Sequence, residues 1–379
     1  MFGSMEVLYI TVPSFFDLEI SLIRELQKFC HVNVLMFVAP VSMHSSAFDV
    51  ETLGEKVCIC KFSQMKQMEK YGNMIDLESW NLAINPSGKL YDSYRLSKLV
   101  KIFIRENKFE FIHITTFGGK STLFLYYTLK KWRNKLLTIH DVIPHSKKSF
   151  LRNVISSLYV NSFKNLLAMS KSQGMKLKNL HTNKNIFISR LGIYDFLNYC
   201  HIGKNKYGKY ILFFGRIDAY KGVDILIQAF LNSSLPLMGY KLIIAGKGNI
   251  CFPKDKNIIE INRYITNDEL ATLINHCEYV VLPYRSVTQS GVLMSAFAFN
   301  KFVVASNIGD FMSEITPQTG ILAKAGDVKE LQVALEDAIA LDKSISKLYI
   351  EKQYMNNGDR SWNTIAKKLY NIYIQIIIK

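Results

Sequence analysis

The stretch that decides the fold is FFGRIDAYKGVDILIQAF, residues 213–230. An apolar run, YILFF, ends at Gly215. Two cations follow five positions apart, Arg216 and Lys221, then Gly222, and VDILIQAF has the apolar spacing of an amphipathic helix. A strand that stops at a glycine and turns into a helix leaves backbone N–H groups unpaired at the positive end of the helix. Such an end accepts anions. A guanidinium adds a fork that fits two oxygens, and an ammonium adds a point charge. The spacing suits a diphosphate; two solvated cations on a loop are the plain alternative.

The same strand–helix alternation extends to both sides. Upstream, MEVLYITV, HVNVLMFVAP, FEFIHIT, KLLTIHDV, KNLLAMS and KNIFISRLG read as strands, with helical spacing in DLEISLIRELQKFC, YRLSKLVKIFIREN and KSTLFLYYTLKKWRN. After Gly192 the pattern restarts with YGKYILFFG, YKLIIAGKG, NIIEINRYI, EYVVLPY and KFVVASN. Strands separated by helices argue for parallel sheets, hence an α/β fold. Two doubly wound halves are expected, residues 1–195 and 196–355, and the amphipathic end 356–379 is a closing helix returning to the first half. The polar stretch HIGKNKYGK, residues 201–209, is the expected linker. Ligands of such halves bind at the carboxyl ends of strands, in a cleft between them.

Composition narrows the classes. The 379 residues are 49% hydrophobic, which excludes general disorder. Six cysteines without a C-x-x-C pair read as reduced thiols of a cytoplasmic protein. No apolar run approaches the roughly 20 residues of a membrane span. The net charge is +16, and residues 101–200 hold 17 Lys/Arg against 4 Asp/Glu, a local excess of +13. That quarter of the chain fits an anionic partner such as a membrane leaflet. LYYTLKKWRNK sets Tyr126, Tyr127 and Trp132 beside Lys130, Lys131, Arg133 and Lys135, and Lys147, Lys148, Arg152 and Lys164 follow. The mix of rings and cations suits a lipid headgroup surface; aromatic burial in the core is the alternative for single rings. The segment TFGGKST resembles the end of a P-loop, but Ile114 stands where that motif needs glycine. It leaves a phosphate-facing or cleft-facing turn, with Gly118 and Gly119 as acceptor-side candidates.

Further motifs occur in a fixed order. LIIAGKGN follows the diphosphate stretch, and EYVVLPYRSVTQSGVLMSAFAFNKFVVASNIGDFMSEI (278–315) gives a strand, a turn with Ser290 and Gly291, a helix of small residues and another strand. Together these resemble the nucleotide-sugar domain of GT-B glycosyltransferases of family GT4, over roughly residues 140 to 315. The resemblance implies the GT-B fold, two Rossmann-like domains facing a cleft. It implies retaining transfer of a sugar from a UDP- or GDP-linked donor, with no other cofactor and no essential metal. Arg216 and Lys221 match the cations that hold the donor diphosphate as it leaves, beside Gly215. His140, in TIHDVIP, matches a histidine that contacts the donor sugar, with Asp141 next to it on the acceptor side. Ser290 and Gly291 match a turn whose amides meet phosphate or sugar, and Arg263 and Tyr264 lie where the base-binding loop follows a strand.

Two departures stand out. The family carries two glutamates eight positions apart where this chain has Val287 and Ser295, so Thr288, Gln289, Ser290 and Ser295 are the hydroxyl and amide groups left to meet the donor. Glu314 matches a common family acid, or pairs within its own domain. After the first strand, VPSFFDLE replaces a glycine-rich turn; Ser14 and Asp17 are acceptor-side candidates and equally helix caps.

The function implied is a cytoplasmic glycosyltransferase, peripheral on the inner face of the membrane. It passes a hexose-type sugar to a lipid-linked or oligosaccharide acceptor in bacterial surface polysaccharide synthesis. A catalytically silent sugar-nucleotide binder, a nucleic-acid binder and a related GT-B epimerase are the alternatives. The first is favoured by the missing glutamates; the second explains the charge, but no base-reading module is evident and nucleic acid is not the expected partner.

Overall fold

Strands covered on both faces read as unbroken apolar runs, because neither side meets water. The computed structural model describes residues 5–45, 47–115, 124–140, 150–248, 254–287, 290–355 and 358–378. The chain divides into two units: residues 1–191 with 362–379, and residues 192–361. The first division lies four residues before the expected boundary, and the last helix, Trp362–Ile378, belongs to the first unit. The expected linker is a correction: residues 201–209 lie inside the second unit. There the His201 amide donates to Asp268, the Gly203 amide donates to Thr272, and the Gly203 carbonyl meets the His276 ring. These bonds tie the polar stretch along the helix Asn267–His276.

In the first unit, β1 (Glu6–Thr11), β2 (His31–Val38), the short pair β3 (His44–Ser45) and β4 (Phe48–Asp49), β5 (Cys58–Lys61), β6 (Trp80–Ile84), β7 (Phe111–Ile114), β8 (Lys135–Ile139), β9 (Asn165–Ala168) and β10 (Asn185–Ile188) follow in order. Eight of them form one sheet, β10-β9-β8-β7-β1-β2-β6-β5, parallel except for the edge strand β5. Sequence reading missed β5 and β6. Strand β6 carries a buried polar residue, Asn81, whose amide is satisfied by the Val34 carbonyl across the sheet.

One face of this sheet shares a core with the helices Leu90–Glu106, Leu125–Lys130, Phe150–Ser162 and Lys171–Leu180, through residues such as Leu96, Leu125, Tyr159 and Leu177. The opposite face takes the helix Phe16–Leu26 and the C-terminal helix, which pack together. Tyr373 of the latter stacks on Phe111 at 4.3 Å and hydrogen-bonds the buried His113 at 2.6 Å. Strand order reverses between β1 and β7, so their carboxyl ends, at Thr11 and Thr115, frame the switch point of this sheet.

The second unit is a six-stranded parallel sheet of β11 (Tyr210–Phe214), β12 (Lys241–Ala245), β13 (Ile258–Ile261), β14 (Val280–Leu282), β15 (Val303–Ser306) and β16 (Gly320–Ala323), in the order β13-β12-β11-β14-β15-β16. Here the order reverses between β11 and β14. Their carboxyl ends lead into Gly215 and Pro283, which places the stretch quoted at the outset at the switch point of its own sheet.

Candidate functional site

Gly215 leaves β11 with φ +110°, and a Cβ there would come 3.3 Å from Val292 in the helix Gly291–Ala298. The β11 loop therefore runs beside the start of that helix. Gly222, at φ +66°, closes the loop: a Cβ would fall 1.9 Å from the Pro283 carbonyl, so only glycine lets the chain pass β14 and enter the helix Val223–Asn232. Between the two glycines lie the two cations. Arg216 is largely exposed and its Nε lies 3.2 Å from Asp218. Lys221 is 8% exposed, with Nζ 3.7 Å above the Tyr284 ring and 5.3 Å from that of Tyr220.

Burial, with the Arg216 charge adding to it and Asp218 opposing, pushes the Lys221 ammonium down to about 7. A lysine held so against aromatic faces is one whose charge an incoming anion would restore. Its position is set by Arg285, which sequence reading passed over. The Arg285 backbone N–H donates to the Tyr220 carbonyl at 2.7 Å, its guanidinium to the Ala219 carbonyl at 2.7 Å, and both its terminal nitrogens to Asp224 at 2.9 and 2.6 Å.

The helix Gly291–Ala298 begins at Ser290, whose hydroxyl caps it by accepting from the Leu293 amide. Gly291 packs against Tyr194, with room for no Cβ. Ser295 is buried and its hydroxyl donates back to the Gly291 carbonyl at 3.0 Å, so it serves its own helix. Arg263 forks onto Glu269 with two bonds of 2.7 Å and also reaches the Tyr264 carbonyl, while Tyr264 is half exposed. Glu314 pairs within its own unit: Arg360 forms an ion pair with it, and the Tyr354 hydroxyl, 3.3 Å from it, accepts from Arg360 at 2.7 Å. Thr288 and Gln289 lie outside the described residues.

In the first unit, His140 follows β8 and its ring lies flat against Phe15, centroids 3.8 Å apart and planes 10° apart. Among the described residues its Nε2, shut off from solvent, has no partner, and burial pushes the imidazole down to about 4, so the ring is neutral at pH 7. Ser14 is exposed in the turn Pro13–Phe15 and Asp17 accepts from the Leu18 amide at 2.8 Å, within the first turn of its helix. Gly118, Gly119 and Asp141 lie outside the described residues. Glu19 was not singled out, although it falls on the buried stripe with Leu22, Ile23 and Leu26; it is fully buried, accepts from Thr115 at 2.8 Å, and burial pushes its carboxyl up to about 8.

The basic region is partly redistributed. Lys135 is buried and its ammonium caps the preceding helix at the Leu129 and Lys130 carbonyls, so it is no surface cation. Trp132 packs against the core. Lys147, Lys148 and the side chain of Arg152 lie outside the described residues. Lys130 lies over Tyr126 at 5.7 Å and Tyr127 is exposed, and further exposed rings pair with cations along the helix Leu90–Glu106, Tyr91 with Arg95 at 5.9 Å and Tyr94 with Lys98 at 4.6 Å. Among the described residues no helix is long and apolar enough to cross a membrane.

Residues 208–340 match the family model described as glycosyl transferases group 1. An uncharacterized glycosyltransferase of Methanocaldococcus jannaschii is 27% identical over 187 residues, 45% of this chain and 46% of that protein. A GDP-mannose:glycolipid 4-beta-D-mannosyltransferase of Xanthomonas campestris pv. campestris is 28% identical over 106 residues, 25% of this chain and 29% of that one. The matches thus span about half and under a third of these relatives. Among solved structures, Anabaena HepE in complex with UDP and glucose superposes with a TM-score of 0.66 at 14% identity, covering 98% of this chain and all of that one. The fold is GT-B, and residues 208–340 are similar to glycosyl transferases group 1.

Proposed function

From a chain on a GT-B fold whose residues 208–340 match the family model of group 1 glycosyl transferases, we propose a glycosyltransferase that takes its sugar from a UDP- or GDP-linked donor and keeps the anomeric configuration. Lys221 carries this reading: a lysine held against two rings at a switch point, its charge suppressed until an anion arrives. The donor diphosphate would lie on the loop from Gly215 to Gly222, met by Arg216 and Lys221 and by the amides at Ser290 and Gly291. His140 would contact the donor sugar as a neutral hydrogen-bonding ring.

As the bond from the sugar anomeric carbon to the β-phosphate oxygen breaks, its electron pair goes to that oxygen, where the two cations stabilise the charge. The acceptor hydroxyl oxygen bonds the anomeric carbon from the same face and its proton passes to the departing phosphate. No metal enters this route, since the two side chains supply the countercharge.

The acceptor is proposed to be a lipid-linked glycan in the assembly of a bacterial surface polysaccharide. The glycolipid substrate named for the Xanthomonas relative supports this class of acceptor. Peripheral attachment to an anionic inner leaflet is proposed through the ring–cation pairs of the helix Leu90–Glu106 together with Tyr127, where each surface cation contributes about 1 kcal/mol.

The test is release of UDP or GDP from a panel of donor sugars, with and without lipid-linked acceptor, followed by the mass and anomeric configuration of the product. Acceptor-dependent release with retained configuration is expected. Donor binding without turnover on any acceptor, or an inverted product, contradicts the proposal.

A further inference from the structure

The pair Phe15-Phe16 sits where the chain leaves β1, and its two rings do different work. Phe16 is fully buried and fixed edge-on among Phe48, Tyr71 and Trp80, at centroid distances of 5.6, 5.0 and 5.2 Å. Pro13 restricts the turn before it, closed by the bonds of the Phe15 amide to Val12 and of the Phe16 amide to Pro13. One helical turn further on, Glu19 takes the Thr115 hydroxyl, itself 3.1 Å from the Thr11 hydroxyl, and so pins the helix to the ends of β1 and β7. The backbone that carries Phe15 is thus held from both sides, and Phe15 is the ring left over. It lies flat on the His140 imidazole, 125 residues away in sequence, at the end of β8.

We propose that Phe15 is a positioning residue for His140: its anchored ring covers one imidazole face and fixes the plane in which the imidazole edge meets the sugar. The inference rests on the role given to His140 above. A covered face leaves approach in the ring plane, along the nitrogen lone pair or N–H, and that is the direction a hydroxyl needs for a hydrogen bond. Water excluded from the face also keeps the ring neutral, in keeping with its lowered value. Burial alone lowers His140; His113, hydrogen-bonded to the Tyr373 and Thr138 hydroxyls, is lowered to about 3 by its own burial first and by His140 second.

Three variants decide it: Phe15→Ala, Phe15→Leu and Phe15→Tyr, in the full chain. The imidazole resonances of His140, assigned by their loss in His140→Asn, are followed by NMR at pH 6, and kcat and donor KM are measured in parallel. In the wild type the ring is neutral at pH 6. In Phe15→Ala and Phe15→Leu it moves toward its ordinary value of 6.5 and is largely protonated. In both, kcat falls between about ten- and a hundredfold, the size a misplaced group produces, while nucleoside-diphosphate affinity stays as in the wild type. Phe15→Tyr keeps the flat ring and restores both readouts. Phe15→Leu stands in should the alanine protein fail to fold, since it keeps most of the volume and loses only the plate.

A His140 still neutral at pH 6 in Phe15→Leu, or a wild-type kcat there while His140→Ala is impaired, overturns the proposal. A fully active His140→Ala overturns instead the role assigned to His140, and the resonances still report whether Phe15 holds the ring.

Discussion

Lys221 gives a quantitative expectation for how donor recognition depends on pH. Free, its ammonium titrates near 7, because it is buried against Tyr284 and Tyr220 and faces the Arg216 charge. An anion on the loop favours the protonated form, so binding and protonation are linked. At pH 8 only about one-tenth of the free protein carries the charge, and each further pH unit removes another factor of about ten, or about 1.4 kcal/mol. The terminal phosphate of a nucleoside diphosphate, with a pKa near about 6, is already ionised there and adds no slope of its own.

Isothermal titration of UDP and GDP from pH 7 to 9 therefore shows a Kd that rises about tenfold per unit above pH 7.5, and a heat that depends on the buffer. The buffer dependence corresponds to uptake of about 0.9 proton at pH 8. Lys221→Met binds weakly and loses both dependences. The free protein carries the opposite sign: between about 7 and 10.5 the unfolded chain holds a proton the native lysine lacks, so this group makes stability rise with pH in that window. A Kd flat from pH 7 to 9 with no buffer-dependent heat would refute the reasoning.

Two other substitutions test the supports. Arg285→Lys loses the fork that holds Ala219 and Asp224; because the pair is half exposed, nucleotide affinity drops by about 1 kcal/mol, and an affinity equal to that of the wild type would remove Arg285 from the account. Glu19 has a carboxyl raised from 4.5 to about 8, so its contribution is complete below 4.5 and is lost as pH rises toward 8. Calorimetry from pH 5 to 8 should find a stability decline in the wild type that Glu19→Gln flattens, and parallel slopes in the two proteins would show that the carboxyl is not held neutral.

The strand, glycine, paired cations and helix of residues 213–230 are neighbours in sequence, so their arrangement was legible there, as was the alternation that gives two largely parallel sheets. Glu19 could have been found: an acid in register with Leu22, Ile23 and Leu26 must be buried or break the stripe. What contact across long separations decides was not legible. Arg285 reads as an ordinary surface cation until β14 brings it 2.7 Å from Ala219, and nothing local joins Phe15 to His140. Lys135 looked like part of a charged surface because neighbouring lysines are; its own place at the start of β8 points it at the carbonyl end of a helix. Strands β5 and β6 escaped because the first is a short edge and the second carries Asn81, whose partner is on β2.

The most direct test of the central claim is the position of the β-phosphate in a crystal of the protein grown with UDP or GDP. That phosphate is expected within hydrogen-bonding distance of both the Arg216 guanidinium and the Lys221 ammonium, at the carboxyl end of β11. A nucleotide bound with its phosphates elsewhere, and Lys221 still stacked on Tyr284 without an anion, would contradict it.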